Sequence, residues 1–257
     1  MDLVGLFCWK NCVELGYLPA ESFLSLYPAL DRAIICVDPS GEDTLDLAYH
    51  LQEQYHFTEV FETPWRSDTS LNGEAIGDAS NEALSHVSKG DWVFNLQADE
   101  IVSPQLLEVI KTGWRTWAKS CDFVSFKYLH TLYNAQFIQG DAGYDHAWKL
   151  ALNDGALKFE ADAWGFWLSN TRTVLCHEQP IVHLHHFFKD QYIGQLKNSF
   201  KLFTAGWTED KMRAELARLT ALKNEPYWEN TTSPFGVYLT KEVKRHLGKS
   251  CYNIPND

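Results

Sequence analysis

The run from Gly90 to Glu100, GDWVFNLQADE, constrains the fold more than any other part of this sequence. Trp92, Val93, Phe94 and Leu96 form a compact apolar block with Asn95 inside it, long enough for a buried strand and too short for a helix. The block stops at Gln97-Ala98-Asp99-Glu100, and Ser103-Pro104 then opens a helix. Acidic groups at the point where a buried strand leaves an α/β sheet lie in the crevice where such sheets take their ligands.

The surrounding pattern alternates. Leu3–Cys8, Ala33–Val37 and a short piece at Glu59–Phe61 read as strands. Asp43–Tyr55, Gly73–Lys89 and Pro104–Trp117 carry apolar residues at helical spacing, and Gly90 is a stop signal for the second of these. Strand–helix alternation predicts a parallel sheet with covering helices over the first half. After Cys121 the order changes. Asp122–Leu132 and Ala147–Leu152 read as strands, Val174–Phe188 as two strand-like pieces, and Tyr192–Thr204 as a helix. A polar amphipathic helix at Thr208–Lys223 and a basic one at Val237–Leu247 follow.

Composition narrows the function. A formal charge of −12 excludes a basic footprint of the kind that binds nucleic acid, although a few local donors suffice for a nucleotide. Six cysteines without a C-x-x-C pair fit reduced thiols better than a disulfide or zinc framework. The N-terminus has no basic region followed by an apolar run, and no apolar stretch approaches ~20 residues. A cytoplasmic location is therefore expected. Ten tryptophans are an unusual number, and for any single one a core position is the simpler expectation than a sugar platform.

Taken together, Gly90–Glu100 resembles the strand and D-x-D turn of family 2 glycosyltransferases, commonly G-D-W-[IV]-x-x-L-D-A-D-E. Gln97 stands at the first Asp, while Ala98, Asp99 and Glu100 match. Three other segments extend the resemblance over roughly residues 1 to 205. IICVDPSGEDT resembles the V-D-x-x-S-x-D-x-T element, which makes Asp38 the residue that reads the nucleotide base. Lys10-Asn11 resembles K-N-E, with Cys12 in place of the Glu and Glu14 close by. Ala79-Ser80-Asn81 resembles A-R-N, with Ser80 in place of the Arg.

The resemblance implies a GT-A fold. Residues 1–205 would form the transferase domain, with 1–110 as a Rossmann-like nucleotide half and 111–205 as a mixed-sheet acceptor half. Residues 206–257 would be a helical extension. The implied reaction is transfer of a sugar, with inversion, from a nucleotide-sugar donor of the UDP type to an acceptor hydroxyl. Asn11, Asp38, Asn81 and Gln97 would face the donor. Asp99, His183 and His185 would hold Mn²⁺ or Mg²⁺, a hard cation that offsets charge on the leaving diphosphate. His183 enters through Pro180–Phe187, which resembles P-L-L-H-Y-x-Y, and His185 shares its face at the two-residue period of a strand.

An inverting transferase needs a carboxylate to take the acceptor's proton. Lys149-Leu150 through Phe159-Glu160-Ala161 resembles the phrase that precedes a His-Glu in relatives, but Trp164-Gly165 occupies that position. Asp162 and Glu178 are the two candidates. Two rival readings stay open: a degenerate GT-A domain that binds without turnover, and a metal-dependent hydrolase built on His183 and His185. The acceptor is unspecified by the sequence, and Lys241, Lys244, Arg245 and Lys249 give the last helix a basic face that could meet an anionic membrane.

Overall fold

Alternate residues of the first strand, β1 (Leu3–Trp9), enter two different cores, which is what a strand buried on both faces does. The computed structural model describes residues 1–66, 73–132, 136–137, 146–161, 163, 165–167 and 173–185. After β1 come α1 (Pro19–Leu26), β2 (Arg32–Val37), α2 (Glu42–Gln54), β3 (Thr58–Glu62), α3 (Glu74–Ser85) and β4 (Trp92–Asn95). Then follow β5 (Glu100–Val102), α4 (Pro104–Trp117), β6 (Phe123–Leu132), β7 (Gln136–Phe137), β8 (His146–Leu152), β9 (Lys158–Phe159), β10 (Phe166–Trp167) and β11 (Val174–His185).

The main sheet runs β3-β2-β1-β4-β8-β6-β11-β5, with β7 on β6. The first four strands are mutually parallel. Direction reverses at β8, returns through the parallel pair β6 and β11, and reverses again at β5. This is the expected parallel half followed by a mixed half.

Leu3, Phe7 and Trp9 of β1, with Ala33, Ile35 and Val37 of β2, pack against Phe23, Leu47, Leu51, Leu106, Ile110 and Trp114 from α1, α2 and α4. Val4, Leu6, Ile34 and Cys36 pack on the opposite face against Ala83 and Leu84 of α3 and Phe159 and Phe166 of the β9–β10 ribbon. Trp9, Trp92 and Trp114 are fully buried. Each contributes up to about 4–6 kcal/mol by area, so these three tryptophans serve the core.

Helix α4 starts where the sequence predicts. Ser103 Oγ accepts the Leu106 N–H at 3.2 Å, and Pro104 occupies the first turn, where its missing N–H costs nothing. Three features differ from expectation. The three-residue β5 has only two apolar residues to signal it. Val174–His185 is one strand rather than two pieces, with a register shift between His177 and Ile181 that accommodates Pro180. Helix α3 ends at Ser85, and the chain turns through Gly90 at φ +98°. The expected helices at Tyr192–Thr204, Thr208–Lys223 and Val237–Leu247 lie outside the described residues, as does the whole 206–257 segment. Among the described residues, no helix is long and apolar enough to cross a membrane, and all five cysteines are free thiols.

Candidate active site

The turn after β4 is held from both ends. Gln97 N–H donates to Glu100 Oε2 at 2.9 Å, and Glu100 N–H donates back to the Gln97 carbonyl at 3.0 Å. Helix α1 clamps it from one side: Ser22 Oγ donates to the Gln97 carbonyl at 2.7 Å and Leu18 N–H to the Ala98 carbonyl at 3.1 Å. Asp99 is thereby presented at the sheet's edge with its side chain 22 % exposed.

His183 of β11 meets it. His183 Nε2 lies 3.2 Å from Asp99 Oδ2, across 84 residues of sequence. Burial pushes the Asp99 carboxyl up, but the facing His183, together with a backbone hydrogen bond and the Lys149 charge, holds it below the usual carboxylate range. Burial likewise pushes His183 down, and Asp99 reverses this to leave the imidazole above its ordinary value. Two of the three expected metal ligands, Asp99 and His183, are therefore together, as a charge-assisted pair.

Beneath them is a buried group that the sequence reading passed over. Glu100 and Lys149 are both completely buried, with Lys149 Nζ 2.8 Å from Glu100 Oε1, an ion pair without the alignment of a hydrogen bond. Tyr128 OH donates to the same oxygen, and the ammonium stands 5.6 Å from the Tyr128 ring centre. A signal was available: Lys149 interrupts the apolar run Ala147–Leu152, and a lysine inside a buried strand requires a partner.

Asp38 lies at the end of β2 and is 3 % exposed. Its Oδ1 accepts from the Ser40 N–H (2.9 Å) and from Ser40 Oγ; its Oδ2 accepts from the Trp65 N–H (2.7 Å) and Lys10 Nζ (3.1 Å). Burial raises its pKa, and these donors together reverse that to a net lowering. The carboxylate thus has its acceptor sites filled by the protein. Next to it, past Trp65, is a cavity of about 310 Å³ whose wall includes Glu62, Arg66, Asp78 and Glu82. Its size is at the lower end of small-molecule sites.

Asn11 sits on the adjoining loop with φ 50°, and its buried Oδ1 accepts no hydrogen bond among the described residues. A Cβ at Gly41 would come within 2.5 Å of that oxygen. Glu14 bonds the N–H and hydroxyl of Thr44, which places a carboxylate at the start of α2.

Asn81 has a different engagement. Its Nδ2 donates to the Phe159 carbonyl at 2.9 Å and its Oδ1 accepts the Phe159 N–H at 2.8 Å. Asn95 of β4 donates to the Ala163 carbonyl at 3.0 Å, and Gly77 N–H to the Ala161 carbonyl at 3.0 Å. A Cβ at Gly77 would meet that carbonyl oxygen at 2.8 Å, so only glycine allows this approach. These contacts hold Ala161 and Ala163 in left-handed conformations, φ 50° and 53°. Asp162 itself is outside the described residues, and so is the side chain of His185, the last residue of β11. Glu178 is exposed on the shifted part of β11, five residues and roughly 15 Å along the strand from His183. The neighbouring His177 packs against Trp117 and Phe126.

No group of three or more metal-ligating side chains occurs among the described residues. Asp99 and His183 nonetheless suit a hard cation that takes its other ligands from phosphate and water. As paired here the imidazole nitrogen is engaged by Asp99, so a cation would bind in place of the proton they share.

No protein-family model and no curated protein matches the chain. Solved structures do. S. aureus TarS residues 1–349 match with a TM-score of 0.50 at 11 % identity, over 82 % of this chain and 68 % of that one. This fragment is also known in complex with UDP. A further S. aureus TarS structure matches with a TM-score of 0.48 at 14 % identity, over 86 % of this chain and 43 % of that one, so the chain spans less than half of it. A putative nucleotide-diphospho-sugar transferase from Desulfovibrio desulfuricans G20 matches with a TM-score of 0.38 at 11 % identity, over 78 % and 96 %. At these identities the first likeness shows the fold: an α/β fold of the GT-A type, as expected.

Proposed function

We propose that this chain is a glycosyltransferase of the family 2 kind, which moves a sugar, with inversion, from a UDP-type nucleotide-sugar donor to an acceptor hydroxyl. The observation that carries the reading is the convergence of Asp99 and His183 at 3.2 Å, at the ends of β4 and β11 on a GT-A-type sheet. Neither residue has a reason to meet the other for the core's sake. The Gln97–Glu100 turn and the long β11 strand bring them together at the ligand edge.

The donor's diphosphate would lie over Asp99 and His183, with the nucleoside directed toward the Asp38 loop, Trp65 and the adjacent cavity. Asp99 and His183 would hold Mn²⁺ or Mg²⁺, whose Lewis acidity stabilises the departing diphosphate. Asp38, with its acceptor sites filled, shapes the nucleoside pocket by fixing Lys10, Ser40 and Trp65. Asn11 offers an acceptor on that loop that has no partner among the described residues. Asn81 acts on the acceptor side by holding Phe159. The base would come from the segment that Asn81, Asn95 and Gly77 hold in place, which favours Asp162 over the distant Glu178.

A screen of UDP, GDP and dTDP sugars with and without Mn²⁺ tests this, following donor hydrolysis and binding by calorimetry. At least one nucleotide should bind more tightly with metal, and Asp99→Asn should remove most of that difference. Equal metal dependence in wild type and variant would overturn the assignment. Gln97 at the first carboxylate position favours one alternative, a domain that binds a nucleotide sugar without turnover. Tight donor binding with no hydrolysis or transfer under any condition would select it.

A further inference from the structure

We propose that Lys149 is a positioning residue for the Asp99–His183 pair: its buried ammonium fixes Glu100, and Glu100 fixes the turn that carries Asp99. As a role in catalysis this rests on the transferase reading; as a claim about the turn it stands on geometry alone.

Three contacts make Glu100 the junction. Its Oε1 faces Lys149 Nζ at 2.8 Å and accepts from Tyr128 OH, while its Oε2 accepts the Gln97 N–H at 2.9 Å. Glu100 is also the neighbour of both members of the pair. It follows Asp99 directly in the chain, and in the antiparallel β5–β11 pairing it stands opposite His183. A displacement of Glu100 therefore moves Asp99 through the backbone and disturbs His183 through the sheet. Lys149 enters from β8, a central strand, at the point where the register against β6 shifts: Leu150 pairs with Phe94 and Val124, Trp148 with Ser125, and the irregularity between them places Lys149 toward Glu100.

The chemistry is costly for stability alone. Both groups have lost all contact with water, and a buried ion pair is commonly no more stable than apolar residues of the same volume. What the pair provides that an apolar contact does not is direction. A carboxylate held by an ammonium and a phenol on one oxygen must present the other to the Gln97 amide. That fixes the hydrogen bond that closes the turn.

The test uses Lys149→Met, Glu100→Gln and the double variant, in the full chain. The first readout is residue-resolved hydrogen exchange on the ligand-free protein. In Lys149→Met the amides of Gln97 and Glu100 should lose protection by about tenfold or more, while those of β1 and β2 keep theirs. The double variant should regain protection, because the glutamine carbonyl still accepts from Gln97 N–H and no unpaired charge remains. Unchanged protection of the turn in a folded Lys149→Met protein would overturn the proposal. So would a double variant no better protected than the single one. If Lys149→Met fails to fold, the double variant decides: turn protection near wild type supports the proposal, and its absence overturns it.

The second readout is calorimetry with UDP and Mn²⁺. Binding should weaken about tenfold in Lys149→Met and recover in the double variant. A double variant with a restored turn but weak binding would mean that Lys149 acts on the ligand directly, which overturns the route through Glu100. Failure of the wild type to bind any nucleotide would defeat the transferase reading, and hydrogen exchange would still decide what Lys149 does to the turn.

Discussion

Asp38 and Asp99 both follow strands of the parallel half, and both were expected to face the donor, yet the protein treats them differently. Asp38 is satisfied by Ser40, Trp65 and Lys10, partners supplied by the loops of its own half. Asp99 is left partly exposed and meets a side chain from the far end of the mixed half. One carboxylate is an internal tie of the parallel half. The other is a contact between halves, and its position depends on the fold of both.

The comparison breaks most easily at function. Asp99→Asn should reduce transfer by about 10²-fold or more in a protein that remains folded, since it removes charge at the diphosphate. Asp38→Ala should bear chiefly on stability: it deprives the half-buried Lys10, two backbone amides and one hydroxyl of their acceptor and should cost about 2–4 kcal/mol in denaturant unfolding. If Asp38→Ala keeps its stability and loses nucleotide binding, the carboxylate reads the base and the contrast collapses.

A pH series sharpens the comparison at intermediate size. The His183 pKa is raised in the fold, so its contribution is complete below the ordinary imidazole value of ~6.5 and is lost as pH rises through the raised value. The Asp99 pKa is lowered, so its contribution is complete above ~3.9 and is lost as pH falls through the lowered value. The difference in melting temperature between wild type and His183→Asn should therefore peak between about pH 4 and 6.5 and shrink above that window. A flat difference from pH 4 to 9 would show that the pair is not ionic. The smallest effect is expected for Gln97→Asp, which restores a second carboxylate to the turn and should tighten Mn²⁺-dependent nucleotide binding only a few-fold. A loss of binding would place Gln97 itself against the donor.

What was legible in the sequence follows the same division. The strands and helices of the first half could be read because each carries its own period and its own punctuation, such as the Ser103-Pro104 start of α4. The alignment of His183 with a ligand position came from resemblance, and the geometry brings it to Asp99. Strand β5 could not be read, because three residues have no period and its partner β11 lies far along the chain. Glu100 matched the motif as one more acid of the turn after β4, whereas Lys149 and Tyr128 enclose it from strands that sequence proximity does not connect. Asn81 was expected at the donor, and its amide is instead spent on the Phe159 backbone. An asparagine in a helix does not announce which backbone it will bind.

The Glu100–Lys149 pair also imposes an order on synthesis. By the time residue 102 has left the ribosome, the chain holds β1 to β4 with α1 to α3, a parallel core able to collapse. At that length Glu100 has no counter-charge, and burying it would cost several kcal/mol. The nascent chain must keep this end of its sheet open to water until β8 delivers Lys149, and the pair with His183 closes only when β11 emerges. A stalled ribosome whose emerged chain ends between residues 103 and 145 would therefore carry a parallel half that has folded around an unfinished edge.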